Sequence, residues 1–276
     1  MTKVSVELGA VQETLLIPLL GRALETKRDN GLIKGEKSVE MVNSLDYDYS
    51  KWMQSISLAG ATLRTRLFDQ YVQSFMIKNP KGVIVEIGCG LNTRFERLDN
   101  GKAQWFDLDL PDALALRRQF FQDEPRRTMI EDSVLSTDWM EQVATTGGPW
   151  RFVSEAVMIY LGPAQAKQAI AQIAHRFPGA WLLTDTTSQK MVNGQSTHDA
   201  MKYMSPDSWF RWACDDPYEL ESWANLCLVQ SRTLLDADPE LMKKAPFPMS
   251  IIARWSPWLI RSKVNAYRLN QFVVKD

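Results

Sequence analysis

The sequence predicts an α/β protein with a mainly parallel sheet, helices on both faces and an antiparallel carboxyl-terminal edge. Three observations lead to this class. Val83-Ile84-Val85-Glu86-Ile87 is a short apolar run ending in Gly88-Cys89-Gly90, as for a buried strand running into a tight turn whose missing Cβ atoms let a ligand approach the backbone. Asp109 lies 21 positions after Gly88, at the end of the next strand-like run, where it can accept both hydroxyls of a ribose. Beyond it, strand-like and helix-like runs alternate, as crossover units on a parallel sheet require.

The elements follow in order. Residues 1 to about 78 carry helical periodicity, with Leu58, Leu63, Leu67, Tyr71 and Phe75 recurring among polar residues, and read as a helical cap within the same domain. Lys78-Asn79-Pro80-Lys81-Gly82 is a turn that launches the strand Val83 to Ile87 and opens the core, 79–276. Residues 103 to 109 form the next strand, and Pro111 starts a helix in its favoured first-turn position. Thr128 to Ile130 and Arg151 to Leu161 read as strands, and Pro163 opens an amphipathic helix that stops at Pro178-Gly179. Trp181 to Asp185 is a buried strand, and Leu226 to Leu234 pairs with Ala266 to Val274. Residues at about 188–222 and 236–262 interrupt this rhythm as helical lid insertions.

Composition narrows the function classes. With 32 basic and 33 acidic residues the net charge is −1, so no global field points to nucleic acid or an anionic membrane, and a small-molecule partner is expected. Cys89, Cys214 and Cys227 are odd in number and far apart, which argues against a disulfide framework and a metal site and fits a reducing cytoplasm. The apolar run Leu15 to Leu20 is short and broken by Pro18, and no segment approaches a membrane span. Oligomeric state is not legible.

The turn itself selects a cofactor. A dinucleotide fold carries a third glycine where this chain has Thr93. S-adenosylmethionine has no pyrophosphate, so it needs the turn and the ribose acid without that glycine. Its methionine carboxylate calls for an arginine, with Arg22, Arg64, Arg66 and Arg94 as candidates.

The residue order Arg22-Ala23-Leu24-Glu25, Asp46-Tyr47-Asp48, Leu63 to Asp69, Gly88-Cys89-Gly90-Leu91-Asn92-Thr93-Arg94, Phe106 to Pro111 and Ser154 to Leu161 resembles the leucine carboxyl methyltransferase family. It is most similar to the bacterial branch associated with tetracenomycin-type polyketide synthesis. The resemblance covers residues 13 to about 190 and implies a Rossmann-like class I methyltransferase with a seven-stranded sheet and S-adenosyl-L-methionine as cofactor. It implies that Arg22 and Arg64 hold the methionine carboxylate and that Glu86, Gly88, Cys89 and Gly90 line the cofactor. Asp109 matches the ribose acid, with Asp107 as a second possibility, and Asp132 and Ser133 match the adenine motif. Glu155, near the methionine ammonium, and Tyr160 match the Glu-x-x-x-x-Tyr-Leu motif. Two positions depart from the family turn: Cys89 replaces an alanine and reads as packing, while Asn92 replaces an aspartate and keeps the turn but not the charge.

The expected reaction is O-methylation of a carboxyl or hydroxyl group on a small molecule, a polyketide or other secondary metabolite. A carboxylate acceptor needs no general base; a hydroxyl does, and His198 and Asp185 are then the candidates. His175, at the end of its helix, reads as structural. For Glu155 the alternative is an ion pair with an arginine of the amino-terminal helices. The aromatic and methionine residues of the insertions, among them Met201, Tyr203, Met204, Trp209, Phe210, Trp212, Trp223, Phe247, Met249, Trp255 and Trp258, are read as core and, in part, as an apolar acceptor pocket. The rival classes are a protein carboxyl methyltransferase, a nicotinamide-dependent oxidoreductase and a nucleoside-binding scaffold without turnover.

Overall fold

The computed structural model describes residues 3–246, 250 and 265–276. The amino-terminal segment opens with β1 (Val4–Ser5), which pairs in parallel with β2 (Leu45–Asp46), a two-stranded clasp absent from the sequence reading because each strand is only two residues long. Between them lie α1 (Leu16–Lys27) and α2 (Glu36–Ser44). Pro18 falls in the first turn of α1, where its missing N–H has no helical acceptor to lose.

The long helix α3 (Ser57–Lys78) differs from the expected cap. Its Leu63, Leu67, Tyr71 and Phe75 pack directly with Ile84, Trp105, Val153 and Leu183 of the sheet, so α3 is a layer of the core and the expected boundary at 78 divides elements that share one apolar interior. Burial on this scale is worth roughly 1.5–3 kcal/mol for each large apolar side chain.

The main sheet contains β3 (Val83–Ile87), β4 (Gln104–Asp109), β5 (Arg127–Glu131), β6 (Trp150–Ser154), β7 (Trp181–Thr187), β8 (Leu226–Arg232) and β9 (Tyr267–Val274). Their order is β5-β4-β3-β6-β7-β9-β8; β3 to β7 run parallel, and β9 is antiparallel to both β7 and β8. The chain moves outward from β3 to β5 and then resumes on the other side of β3 with β6, which opens a crevice at the carboxyl ends of β3 and β6.

Four helices connect the parallel strands: α4 (Arg94–Leu98), α5 (Pro111–Arg117), α6 (Asp138–Ala144) and α7 (Pro163–Arg176). Strand alternation feeds both layers, since Val83, Val85 and Ile87 meet Trp139 and Ile170 on one face while Ile84 meets the α3 side on the other. The strand expected over Arg151 to Leu161 stops at Ser154, because Ala156 takes a positive φ of 55° and turns the chain into a short 3-10 segment, Met158–Tyr160.

The first insertion is less helical than expected. It holds only α8 (Gln189–Asn193) and a series of short 3-10 segments of three to six residues, with its 198–204 stretch lying against residues 52–57. Of the second insertion, α9 (Pro239–Lys243) packs on the α3 side through Leu241, whereas Phe247, Met249, Trp255 and Trp258 lie outside the described residues. No described helix is long and apolar enough to cross a membrane.

Candidate active site

A cavity of about 960 Å³ opens over the carboxyl ends of β3, β4 and β6, bounded by α1, α3 and the first insertion. Its floor is the turn after β3. Gly88 has φ of 63°, and a Cβ there would stand 2.4 Å from Val157 Cγ2, so only glycine fits. Gly90, with φ of 46°, faces Leu15 of the amino-terminal segment.

Arg117 of α5 holds the turn in shape. Its Nη1 donates to the carbonyls of Gly90 (2.9 Å) and Asn92 (2.8 Å), and its Nη2 donates to Asp107 (2.6 Å). Asp107 is therefore buried in an ion pair, which removes it as the second ribose candidate. Asp109 lines the cavity instead; Oδ2 accepts from the Gly90 amide (2.6 Å) and Oδ1 from the Leu110 amide (2.8 Å). Burial pushes its carboxyl up to about 6, with those two amides opposing the shift.

Asp132 and Ser133 reach the same cavity just after β5, where Asp132 Oδ1 accepts from the Ser133 amide (2.7 Å). Cys89 touches the cavity too, yet its side chain is buried with Leu114 and Met129, and burial pushes the thiol well above its ordinary value. That is a packing residue.

The α3 helix presents Ser57, Gly60, Ala61 and Arg64 to the cavity at spacings of three and four, a stripe of small residues ending in a cation. Arg64 Nε donates to Glu155 Oε1 (2.9 Å), and Thr65 Oγ1 donates to the same oxygen (2.7 Å). Glu155 Oε2 accepts from Arg94 Nη2 (2.5 Å). Against the effect of burial, Arg64 and Arg94 hold the Glu155 carboxyl down at about 2. The ion pair with an arginine of the amino-terminal helices is thus formed, while Glu155 still lines the cavity.

Of the four arginines considered for a carboxylate, two reach the cavity. Arg94 is buried with its donors directed to Asp69, Glu86 and Glu155, and Glu86, though at the cavity floor, takes both of its contacts from Arg94 at 2.6 Å. Arg66 lines a different cleft beside Thr93 and Arg97. Arg22 is the contrasting case. Its Nη2 donates to the Leu91 carbonyl (2.8 Å), its buried Nε has no partner, and no carboxylate forms an ion pair with it among the described residues. Burial, then the nearby Arg97, lower it to about 9. An underpaired buried cation beside a cavity is a receptor for an anion.

Tyr160 lines the cavity and meets Phe210 edge-on, with ring centroids 5.2 Å apart. Phe210, Met191 and Met201 supply apolar wall, but no tryptophan lines the cavity among the described residues; Trp212 and Trp223 lie in the core with α6 and α7. Among the described residues, the tryptophans of the insertions are chiefly packing.

Neither residue weighed as a base faces the cavity as a base must. His198 lines the cavity, but its Nδ1 accepts from the amides of Ala200 and Met201 (both 3.3 Å) and its Nε2 lies 3.2 Å from Ser57 Oγ, so no unshared nitrogen lone pair points to an acceptor. Asp185 is fully buried and does not line the cavity; it accepts from the Ala156 amide (2.8 Å) and the Tyr267 hydroxyl (2.5 Å), which stands between it and the open space. Tyr267, Asp69, Arg97 and Arg117 escaped the sequence reading. Arg117 carries a local signal, eight positions after Asp109 on the helix that Pro111 opens; Tyr267 carries none, being brought in by the pairing of β9 with β7.

The fold and this cavity define a class: an S-adenosylmethionine-dependent methyltransferase. The chain belongs to the leucine carboxyl methyltransferase family, whose sequence pattern matches residues 16–174. It is 26% identical to the tetracenomycin polyketide synthesis O-methyltransferase TcmP of Streptomyces glaucescens, over 79% of this chain and 80% of that one. It is also 26% identical to the S-adenosyl-L-methionine-dependent methyltransferase dpfgK of Gibberella zeae, over 80% and 81%. In fold it is similar to a solved Thermobifida fusca protein (TM-score 0.57, 14% identity, 94% and 95% covered) and to an O-methyltransferase family protein of Burkholderia thailandensis (TM-score 0.50, 14% identity, 94% and 72% covered).

Proposed function

We propose that this methyltransferase acts on an oxygen of a small secondary metabolite of polyketide type. The observation that carries this reading is the continuity of one cavity, from Asp109 and Gly88 past Arg64 to an apolar wall that includes Ile56, Met191, Phe210 and Leu234. At about 960 Å³ it stands near the top of the range for small-molecule pockets, which is room for a cofactor and a second ligand together. The polyketide and secondary-metabolite class rests on the relatives named above.

The residues fit the cofactor. The unpartnered Arg22 Nε and the Arg64 guanidinium are matched to its methionine carboxylate, Glu155 to its ammonium, the Gly88 and Gly90 backbone to its close passage, Asp109 to the ribose hydroxyls and Asp132 with Ser133 to the adenine. When bound, the cofactor supplies an electrophilic sulfonium methyl. The chain's part is to hold Arg22, Arg64 and Asp109 in fixed positions, so that binding costs little ordering, and to keep water from the reacting atoms with apolar walls.

Calorimetry with S-adenosylmethionine, S-adenosylhomocysteine and NAD tests the site: the first two are expected to bind and the third not. Mass spectrometry of a polyketide and aromatic-metabolite panel is expected to show a gain of one methyl group. Methylation of a protein carboxyl terminus in place of the small molecules would overturn the acceptor class.

A further inference from the structure

We propose that Gly60 is a specificity-determining residue for the methyl acceptor: its missing side chain lets an apolar ring face or hydrocarbon segment of the acceptor lie directly against the backbone of α3. This rests on reading the cavity as the methyl-transfer site, and adds the place where the body of the acceptor is seated.

Among the described helices, two carry a glycine in their interior, Gly21 in α1 and Gly60 in α3. Glycine is the least favourable residue there after proline, so each needs a reason. For Gly21 the reason is packing: a Cβ would stand 2.7 Å from the Leu58 carbonyl oxygen and 2.8 Å from Thr62 Oγ1, where α1 meets α3. Gly60 has no such reason. Its φ is not positive, and among the described residues a Cβ would meet nothing closer than Leu234 Cδ1 at 4.0 Å, an ordinary van der Waals contact. Gly60 lines the cavity, so the side chain it lacks would take up space there. A helix position that gives up stability, is not required by the fold and borders a cavity is explained by a ligand that uses the space. Arg22, buried on the same cavity with an unpartnered Nε, independently marks that space as a ligand's.

The surroundings set the chemistry of what lies there. Amides and carbonyls inside a helix bond to each other, so the backbone bared at Gly60 offers dispersion contact rather than hydrogen bonds. Ile56, Met191, Phe210, Leu234 and Ala266 line the same cavity and are apolar. The polar groups on this side of α3 are already engaged: Ser57 Oγ lies between His198 and Asp199, and Arg64 donates to Glu155 and Tyr267. An apolar portion of the acceptor therefore faces Gly60, whichever of its oxygens is methylated. Gly60 precedes Arg64 by four residues, about 6 Å along the helix axis, so this seat adjoins the residue matched to the methionine carboxylate.

The test uses the intact protein saturated with S-adenosylhomocysteine, with 2-naphthoic acid as the acceptor probe and affinities measured by calorimetry. Gly60→Ala is expected to raise the urea midpoint, with a ratio of folded to unfolded chain about two- to fivefold larger. The same variant is expected to bind 2-naphthoate about tenfold or more weakly while changing S-adenosylhomocysteine affinity less than twofold. Gly60→Leu is expected to abolish 2-naphthoate binding, and Leu234→Ala in the same chain to restore part of it by giving the new side chain room to turn aside. A Gly60→Ala chain less stable than wild type overturns the proposal, since the glycine then serves packing. Unchanged 2-naphthoate affinity in that variant, or no 2-naphthoate binding by the parent complex, overturns it as well, and so does a loss of S-adenosylhomocysteine affinity, which would put Gly60 under the cofactor. Failure of the parent protein to bind S-adenosylhomocysteine overturns the cavity assignment itself.

Discussion

Glu155 and Arg64 form an ion pair at the wall of the cavity, so each can be tested for stability and, on the proposed function, for binding. Glu155 is held down at about 2 from an ordinary 4.5, so its ionised form stabilises the fold by about 3 kcal/mol above pH 4.5. That contribution is lost as pH falls from 4.5 through about 2. Urea denaturation of wild type and Glu155→Gln is therefore expected to show a stability gap that is widest at neutral pH and closes toward pH 2; a constant gap would mean the carboxylate charge is not the source. Arg64→Ala removes a charge-assisted partner worth about 1.5–3 kcal/mol, equivalent to about 10- to 150-fold weaker S-adenosylhomocysteine binding by calorimetry. Unchanged affinity would remove Arg64 from the carboxylate site and leave Arg22, with its unpartnered Nε, as the anchor.

Among the elements, the turn after β3 is the most constrained. Gly88→Ala would force a Cβ into Val157 at positive φ, at a cost of about 2–4 kcal/mol measured by chemical denaturation, with cofactor binding lost. Removing Arg117 would strand Asp107 without its cation and free two turn carbonyls; Arg117→Ala is expected to cost about 3–5 kcal/mol, and Arg117→Met with Asp107→Leu distinctly less. The turn was legible in the sequence because its evidence is local: two glycines, a strand before them and an acid at the end of the next strand. The α3 stripe Ser57, Gly60, Ala61 and Arg64 was also within reach, since Arg64 and Arg66 fall on different faces of a helix and only one of those faces is small and polar enough to line a cavity. Glu155's partner Arg94, the Asp69 link and the approach of Tyr267 to Asp185 were not legible, because each depends on packing between segments far apart in the chain. The early end of β6 was likewise hidden, since nothing in the identity of Ala156 announces a positive φ.

Across the whole molecule, the first insertion is fastened to the amino-terminal helices over the cavity. Despite partial burial, the hydroxyl and amide of Ser57 hold Asp199 below the usual carboxylate range; the amide donates to Oδ2 at 3.0 Å and so caps α3. Ser55 Oγ and Trp52 Nε1 donate to the Asp199 and Ala200 carbonyls. Asp199→Ala is expected to speed hydrogen exchange in both 52–57 and 198–204 and to accelerate S-adenosylhomocysteine release several-fold. Exchange that changes in one segment alone would show that the two do not move as a unit.

The position of β9 between β7 and β8 has a consequence for biosynthesis. Synthesis is vectorial, and β8 emerges from the ribosome some forty residues before β9, the strand that joins it to the sheet among the described residues. Until β9 is made, the β7 edge that it covers has no strand to pair with on that side. Tyr267 is the first residue of the arriving strand, so zipping the edge shut and delivering the phenol to Asp185 are the same event.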